Sequence, residues 1–263
     1  KEVLFSAGVQ FYPDGLAMGN IFCKFGIYFR GRGMDENNTV LKLENICFSY
    51  PGRGKILDHL NFSLGSGEKV GVIGPNGSGK STLLHIIMGL LRPESGNMKV
   101  LGFHPKSEKD FRSVREKVGL VFQHADDQLF SPTVLEDVAF GPLNLGKTPD
   151  EARRISLRVL KDLDLGGFEN RITHNLSGGE KKLVALATVL VMEPKVLFLD
   201  EPSTGLDEST RERLIRILND LDITYVIVSH EYDYLARTTR TIYTMQDGKI
   251  EYCCDSADLH THY

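Results

Sequence analysis

The sequence predicts an α/β fold with three parts: a buried parallel sheet, an antiparallel β layer beside it, and an inserted α-helical subdomain. Three observations support this prediction. Short, unbroken apolar runs recur along the chain, two early segments partly alternate apolar and polar residues, and a long stretch between two of the runs has helical periodicity. The alternation is typical of half-buried strands, and unbroken runs suit strands covered on both faces.

The parallel sheet is predicted from four apolar runs at residues 70–73, 118–122, 196–200 and 225–229. The antiparallel layer is predicted from residues 40–50 and 56–64, joined by a turn, and from a short strand at 98–101. Near the C-terminus, residues 241–245 and 249–252 flank Asp247-Gly248 and predict a hairpin.

The helical subdomain is predicted at about residues 124–185. Thr148 and Glu151 form a capping box, and Pro149 stands at the first helical position. An apolar stripe follows at helical spacing, so a helix begins here. A second amphipathic pattern predicts a helix over residues 208–221.

Composition limits the possible functions. The chain has 263 residues, 41% hydrophobic and 25% charged, as in ordinary globular proteins. Its net charge of −4 argues against a general nucleic-acid binder, and we expect no nucleic-acid partner. No apolar run approaches the ~18 residues that span a bilayer, so any membrane work requires a partner chain. The four cysteines form no CxxC pair, which favours a reduced, cytosolic protein.

Residues 1–33 differ from the rest of the chain. They are rich in Phe, Tyr and Gly and have no sustained periodicity. We interpret them as an N-terminal extension of unclear origin, with Met34 as the candidate natural start and residues 34–263 as the folded domain.

A glycine-rich segment after the first apolar run fits the phosphate-loop pattern G-x-x-x-x-G-K-[ST]. Strand, glycine loop and helix together direct backbone N–H groups into one concavity that binds an anion. The lysine would reach the β- and γ-phosphates of a nucleotide, and the serine hydroxyl would bind Mg²⁺. A glycine turn with a merely solvated lysine is the alternative. The predicted ligands are Gly74, Pro75, Asn76, Gly77, Ser78, Gly79, Lys80, Ser81 and Thr82.

Two carboxylates, Asp200 and Glu201, end the third apolar run. Open α/β sheets bind ligands at the carboxyl ends of their strands. Asp200 is therefore a candidate Mg²⁺ ligand, and Glu201 a candidate to polarise the attacking water. Two acids that merely face solvent are the alternative.

The segment Ser177-Gly178-Gly179-Glu180 opens another predicted helix. Ser177 and Glu180 form a capping box, so structure alone could explain both residues. The glycines weaken the first turn, and a bare helix N-terminus beside glycines suits a γ-phosphate.

Together these motifs resemble those of ABC-type ATPases, a branch of the P-loop NTPases, over about residues 40–252. Leu176 to Glu180 is similar to the signature motif of that family. Four further residues match its motifs in order: Tyr50 the adenine-stacking aromatic, Gln123 the Q-loop glutamine, Asp207 the D-loop aspartate and His230 the switch histidine.

The resemblance implies an ATP-hydrolysing enzyme that works as a head-to-tail dimer, homomeric or heteromeric, with two ATP molecules between the subunits. The phosphate loop of one subunit would face Ser177, Gly178 and Gly179 of the other. Glu201, His230 and Gln123 would be catalytic, Gln123 would also bind Mg²⁺, and Tyr50, Glu180 and Asp207 would lie at the nucleotide.

Residues 126–142 resemble the stretch after the Q-loop in ATPases of energy-coupling-factor importers, which take up cobalt, nickel or vitamins. In that family the region receives a coupling helix from a transmembrane subunit, at the cytoplasmic face of the membrane. We therefore expect Leu129, Phe130 and Pro132 to line a docking groove.

Three departures from the family pattern stand out: Glu180 replaces glutamine, Leu183 replaces arginine, and His124-Ala125 replaces Asn-Pro. Two other functions stay open from the sequence. One is a soluble ABC ATPase acting on DNA or ribosomes, and the other is an ATP-gated interaction module with little hydrolysis.

Overall fold

The computed structural model describes residues 38–261 and contains two sheets. The predicted extension at residues 1–33 lies outside the described residues. The strands are Thr39–Ser49 (β1), Lys55–Gly65 (β2), Lys69–Ile73 (β3), Ser95–Val100 (β4), Val118–Val121 (β5), Val196–Asp200 (β6), Thr224–Val228 (β7), Thr241–Gln246 (β8) and Lys249–Asp255 (β9). The α-helices are Lys80–Ile87 (α1), Glu108–Arg115 (α2), Val134–Asn144 (α3), Pro149–Asp162 (α4), Gly178–Leu190 (α5), Glu208–Asp220 (α6) and Tyr232–Thr238 (α7).

The predicted antiparallel layer is confirmed. It is a three-stranded sheet in the order β2-β1-β4, and both pairings are antiparallel. Strand β4 begins at Ser95, earlier than predicted, because Cys47 of β1 pairs with Ser95 across the ladder.

The parallel sheet is also confirmed, and it is larger than predicted. Its order is β5-β6-β7-β3-β8-β9, and the first five strands are parallel. The predicted C-terminal hairpin is present as β8 and β9, and it extends this sheet because β8 pairs with β3. Asp247 and Gly248 both have positive φ, 50° and 74°, which is the geometry that a two-residue hairpin turn requires.

Alternate residues of β6 enter different cores, which explains why its sequence is apolar throughout. Val196 and Phe198 join a cluster that includes the antiparallel layer and α1. Leu197 and Leu199 join a second cluster with α5, α6 and α7. The sheet is therefore covered on both faces, as its unbroken apolar runs predict.

The segment between β5 and β6 holds three α-helices, α3, α4 and α5. Helix α4 begins as predicted: Thr148 is its N-cap, Glu151 completes the capping box and Pro149 is the first helical residue. Helix α2 was not predicted, although Ser107 and Asp110 form the same kind of box. Within residues 38–261, no helix combines the length and apolar character needed to cross a membrane.

Candidate active site

The candidate site lies at one edge of the large sheet, because parallel strands end on the same side. The glycine-rich loop follows β3, Asp200 ends β6 with Glu201 immediately after it, and His230 follows β7. Gln123 lies just past the end of β5 and is half-buried. Four strands thus direct the predicted chemistry to one edge.

Two positions of the loop require glycine. A Cβ at Gly74 would lie 2.2 Å from the carbonyl oxygen of Met245, so no side chain fits there. Gly79 is the N-cap of α1 and has a φ of 103°, which L side chains rarely adopt. Because a glycine cap supplies no side chain, the first N–H groups of α1 stay available to an anion. The hydroxyl of Ser78 is buried in this loop without a hydrogen-bond partner among the described residues.

Lys80 curls back over the loop. Its Nζ donates to the carbonyl oxygens of Gly74 at 2.8 Å and Pro75 at 3.0 Å. Burial lowers the pKa of Lys80, while the carboxylates of Glu201 and Asp200 act in the opposite direction. The ammonium is thereby held between the loop and the two acids.

Asp200 is 5% exposed, and its Oδ1 is buried without a hydrogen-bond partner among the described residues. Burial raises the pKa of this carboxyl, and a hydrogen bond from Ser81 opposes the rise. A buried carboxylate oxygen beside a hydroxyl is a donor set that suits Mg²⁺, which prefers oxygen ligands. The residues present therefore fit a magnesium ion.

Glu201 is the most restrained of the predicted catalytic residues. Its Oε2 lies 2.8 Å from Nδ1 of His230 and accepts longer hydrogen bonds from the hydroxyls of Thr204, at 3.3 Å, and Ser229, at 3.4 Å. An ionised carboxylate only accepts hydrogen bonds, so with Glu201 ionised the His230 proton is on Nδ1. Among the described residues these contacts all engage Oε2, which leaves Oε1 for a water molecule.

The backbone at Glu201 is unusual, with a φ of 46°. A non-glycine residue in this region is strained by about 1–3 kcal/mol, and such strain persists only where the surroundings enforce it. Sequence reasoning missed this feature and its supports, which include Ser229, Thr204 and Lys182. The only sequence signal for Lys182 is a basic residue immediately before the apolar part of its helix.

Tyr50 lies next to the helix that follows the loop. Its hydroxyl is 3.3 Å from Oγ1 of Thr82, and its ring packs edge-on against Phe48. The structure therefore places this predicted aromatic ligand beside the phosphate loop.

The Ser177–Glu180 segment is a capped helix start. Ser177 N–H donates to Oε2 of Glu180 at 2.8 Å, and Glu180 N–H donates to the Ser177 hydroxyl at 3.3 Å. Glu180 also pairs with Arg171 at 3.0 Å. The expected bare N-terminus is thus a capping box, and Gly178 and Gly179 lie between its two residues.

The two glycines of this segment differ. A Cβ at Gly179 would approach Thr210 to 3.0 Å, so packing gives a reason for glycine there. Within residues 38–261, a Cβ at Gly178 would meet nothing within 4 Å. Among the described residues, the segment makes no hydrogen bond to the phosphate loop of its own chain.

Asp207 is the N-cap of α6. Its carboxylate accepts hydrogen bonds from the Thr210 N–H at 3.0 Å, from the Thr210 hydroxyl at 2.8 Å and from the Ser209 hydroxyl at 2.5 Å. The Ser209 hydroxyl is the main reason that the pKa of Asp207 lies far below its usual range. Its described contacts are thus those of a helix cap.

An apolar groove of about 450 Å³ opens beside α3, α2 and α5. Phe130 and Phe140 line it, are 64% and 47% exposed, and pack edge to face with centroids 4.8 Å apart. Leu129 is 5% exposed and belongs to the core, so the expectation that it lines the groove is wrong. Pro132 is exposed but does not line the groove.

A phosphate loop, two carboxylates at the end of a strand and a histidine on the neighbouring strand define a P-loop ATPase. The sequence matches the family described as "ABC transporter" over residues 57–204. The chain therefore belongs to the ABC transporter ATP-binding family, and it is an ATPase subunit of that class.

Relatives agree with this assignment. A putative ABC transporter ATP-binding protein of Nitratidesulfovibrio vulgaris is 50% identical over 86% of this chain and 83% of its own length. The energy-coupling factor transporter ATP-binding protein EcfA of Methanothermobacter thermautotrophicus is 44% identical, over 80% of this chain and 69% of its own length.

Solved structures show the same fold. CbiO1 of Clostridium perfringens, described as part of the ABC transporter complex CbiONQ, has a TM-score of 0.76 and 35% identity, over 86% of this chain and 92% of its own. A dimeric ATP-binding cassette bound to ADP and Pi has a TM-score of 0.74 and 30% identity, over 80% of this chain and 96% of its own.

Proposed function

We propose that this chain energises an energy-coupling-factor importer by hydrolysing ATP, with Glu201 as the catalytic base. The observation that carries the proposal is the 2.8 Å contact between Glu201 and His230 at the sheet edge where Lys80 also lies. A phosphate-binding lysine and a base held by histidine, on one edge, suit attack of water on a terminal phosphate.

In this mechanism the backbone N–H groups of the loop and of α1 bind the β- and γ-phosphates of ATP, and Lys80 adds a positive charge. Tyr50 stacks on adenine beside the phosphate loop. The loop from Gly74 to Thr82 as a whole forms the cavity that holds the phosphates.

Mg²⁺ would neutralise charge on the β- and γ-phosphates. Ser81 and Asp200 would hold it, since the unpartnered Oδ1 of Asp200 and the Ser81 hydroxyl suit a hard cation. Gln123 is the proposed third ligand and would also contact the attacking water.

Glu201 orients and deprotonates the attacking water through its carboxylate. His230, which holds Oε2 through Nδ1 and is half exposed, would sense the γ-phosphate from the solvent side. Because three groups already fix the carboxylate, little reorganisation is needed when ATP arrives.

A second ATPase subunit would complete each site. Ser177 and Gly178 are exposed, and among the described residues their helix start makes no hydrogen bond to the phosphate loop of the same chain. A partner's γ-phosphate could therefore reach the N–H groups of Gly178 and Gly179, with Glu180 and Asp207 close to the same interface. ATP would favour the closed dimer through γ-phosphate contacts that ADP lacks.

The transmembrane subunit of the importer would dock in the groove lined by Phe130 and Phe140. Exposed, paired aromatic residues in a concave surface are typical of such an anchor site. Asp137 supports the groove, since its Oδ1 accepts the N–H groups of Phe130 at 3.1 Å and Ser131 at 2.8 Å. This docking places the chain at the cytoplasmic face of the membrane, with cobalt, nickel or a vitamin as the proposed cargo.

The variant Glu201→Gln tests the assigned base. Glutamine keeps an oxygen that can accept from His230 but loses the charge, so ATP binding should survive while turnover falls by about 10²–10⁴-fold. ATPase rates and size-exclusion chromatography with ATP measure both effects, and a closed dimer should accumulate. Near-normal turnover would remove Glu201 as the base. Lys181→Met, on the same helix as the Ser177–Glu180 segment, serves as a control and should keep wild-type turnover.

A further inference from the structure

Lys182, on α5, binds the turn that follows β6. Its Nζ lies 3.1 Å from the carbonyl oxygen of Glu201, 3.2 Å from that of Pro202 and 2.6 Å from that of Thr204. An ammonium group has three N–H donors and no acceptor, so these carbonyls match its whole hydrogen-bonding capacity. One side chain thereby ties the turn to α5.

The turn that Lys182 holds is the strained one. Glu201 has a φ of 46°, and its own N–H donates to the carbonyl oxygen of Val228 at 2.8 Å. Strand β7 thus holds the N–H side of Glu201, and Lys182 holds its C=O side. His230 and Ser229 hold the carboxylate, so backbone and side chain are fixed by separate contacts.

Charge also favours this contact. Lys182 is half-buried, and burial lowers its pKa, while the carboxylates of Glu201 and Glu231 act in the opposite direction. The three carbonyl dipoles add to this stabilisation of the ammonium.

The neighbouring residues of α5 do not share this role. Leu183, at the position where the family has arginine, is 2% exposed and packs in the core. Lys181 is directed to Asp126, at 2.7 Å. Lys182 is therefore the residue of this helix that reaches the turn, within the described part of the chain.

We propose that Lys182 is a positioning residue that holds Glu201 in its catalytic orientation and links that orientation to the N-terminus of α5. The inference rests on the proposed function, in which Ser177 at that N-terminus meets the partner's nucleotide. Five positions along a helix span about 7.5 Å. Binding of ATP at the partner's site therefore acts on the base of this chain's own site, and the two ATP sites are coupled.

Lys182→Met tests the proposal, because methionine keeps the aliphatic stem and removes the donors. We expect kcat to fall by about 10- to 100-fold, the usual result of a small misplacement of a catalytic group. The affinity for ATP should stay close to that of the wild type. Coupled sites predict a sigmoidal dependence of rate on ATP for the wild type, and this dependence should flatten in the variant. Lys182→Gln should recover part of kcat, since its amide has two donors, and Lys181→Met should behave as the wild type.

The outcomes separate this inference from the proposed function. Wild-type kcat in Lys182→Met, with Glu201→Gln inactive, would overturn the role of Lys182 and leave the base intact. Full turnover in Glu201→Gln would instead remove the proposed base. Should Lys182→Met not fold, Lys182→Gln carries the test: a kcat below that of Lys181→Met with ATP affinity retained supports the proposal, and an equal kcat overturns it.

Discussion

Replacing Asp200 with asparagine should stabilise the nucleotide-free protein while it weakens the response to Mg²⁺. The carboxyl is 5% exposed, and its Oδ1 is buried without a partner among the described residues. An unsatisfied buried polar group costs about 1–3 kcal/mol, and a charged one costs more. Asparagine has nearly the same shape and can still interact with Ser81, but it carries no charge.

The pH dependence follows from the raised pKa of Asp200, which burial causes. A folded state with a raised pKa binds the proton more tightly than the unfolded state does. The protonated Asp200 carboxyl therefore contributes to the stability of the folded state at pH values below its unfolded pKa. This contribution is lost as the pH rises through its folded pKa. Above the folded pKa the wild type carries the cost of the buried charge, and the variant does not.

We expect Asp200→Asn to raise the free energy of unfolding at neutral pH by about 1–3 kcal/mol. Each kcal/mol corresponds to a rise in Tm of about 2–4 °C for a domain of this size. Urea unfolding without nucleotide or metal, at neutral and mildly acidic pH, measures the gain, which should shrink at the lower pH. Thermal unfolding with ATP and Mg²⁺ should show a smaller stabilisation of the variant than of the wild type.

Asp137→Asn is the matched control, because Asp137 is similarly buried, at 3% exposed, but both of its carboxylate oxygens accept hydrogen bonds. Its oxygens accept from Phe130, Ser131 and Thr173, at 3.1, 2.8 and 3.1 Å. Asparagine would replace charge-assisted hydrogen bonds with weaker neutral ones and would force the Thr173 hydroxyl to accept rather than donate, so this variant should be destabilised. A destabilised Asp200→Asn, or a gain that does not change with pH, would refute the reasoning.

Two further predictions concern the proposed partners. Phe130→Glu should abolish co-purification with the transmembrane subunit but keep ATP binding. The control Tyr252→Glu, which changes a similarly exposed aromatic residue on β9, should keep both. Retained co-purification in Phe130→Glu would place the docking site elsewhere. Gly178→Ala should fold at least as stably as the wild type, since the added Cβ meets no described residue within 4 Å and alanine favours helix by about 1 kcal/mol. The variant should nevertheless lose ATP-driven dimerisation, and an unchanged dimer would exclude this glycine from the interface.

Local signals made most of the fold predictable. The phosphate loop, the capping box at Thr148 and the hairpin at Asp247-Gly248 all depend on residues that are near in sequence, and each is confirmed in the structure. The place of β8 was not predictable in this way, because its pairing with β3 joins segments far apart in the chain. Half of β8 is polar or exposed, so its sequence resembles an independent hairpin rather than a sheet centre.

The candidate site also combines features that local sequence predicts with features that it does not. The residue types of Lys80, Asp200 and His230 predict their chemistry, but the left-handed backbone of Glu201 has no local signal. Glutamate is not a residue that favours positive φ, and the contacts that enforce this conformation come from other elements. Lys182 was missed for the same reason, since its carbonyl partners lie beyond the end of its own helix.

Two of the predicted nucleotide ligands, Ser177 and Asp207, also cap helices with their side chains, and their hydrogen bonds distinguish them. Ser177 accepts one long hydrogen bond, at 3.3 Å, and its hydroxyl is also a donor, which faces the Glu180 carboxylate and could turn to a phosphate. Asp207 accepts three hydrogen bonds from Ser209 and Thr210 and has no proton to offer, as its depressed pKa requires. A direct contact between Asp207 and a phosphate would bring two anions together and disrupt a cap worth about 1 kcal/mol. Asp207 is therefore better suited to shape the start of α6 at the proposed subunit interface than to bind ATP itself.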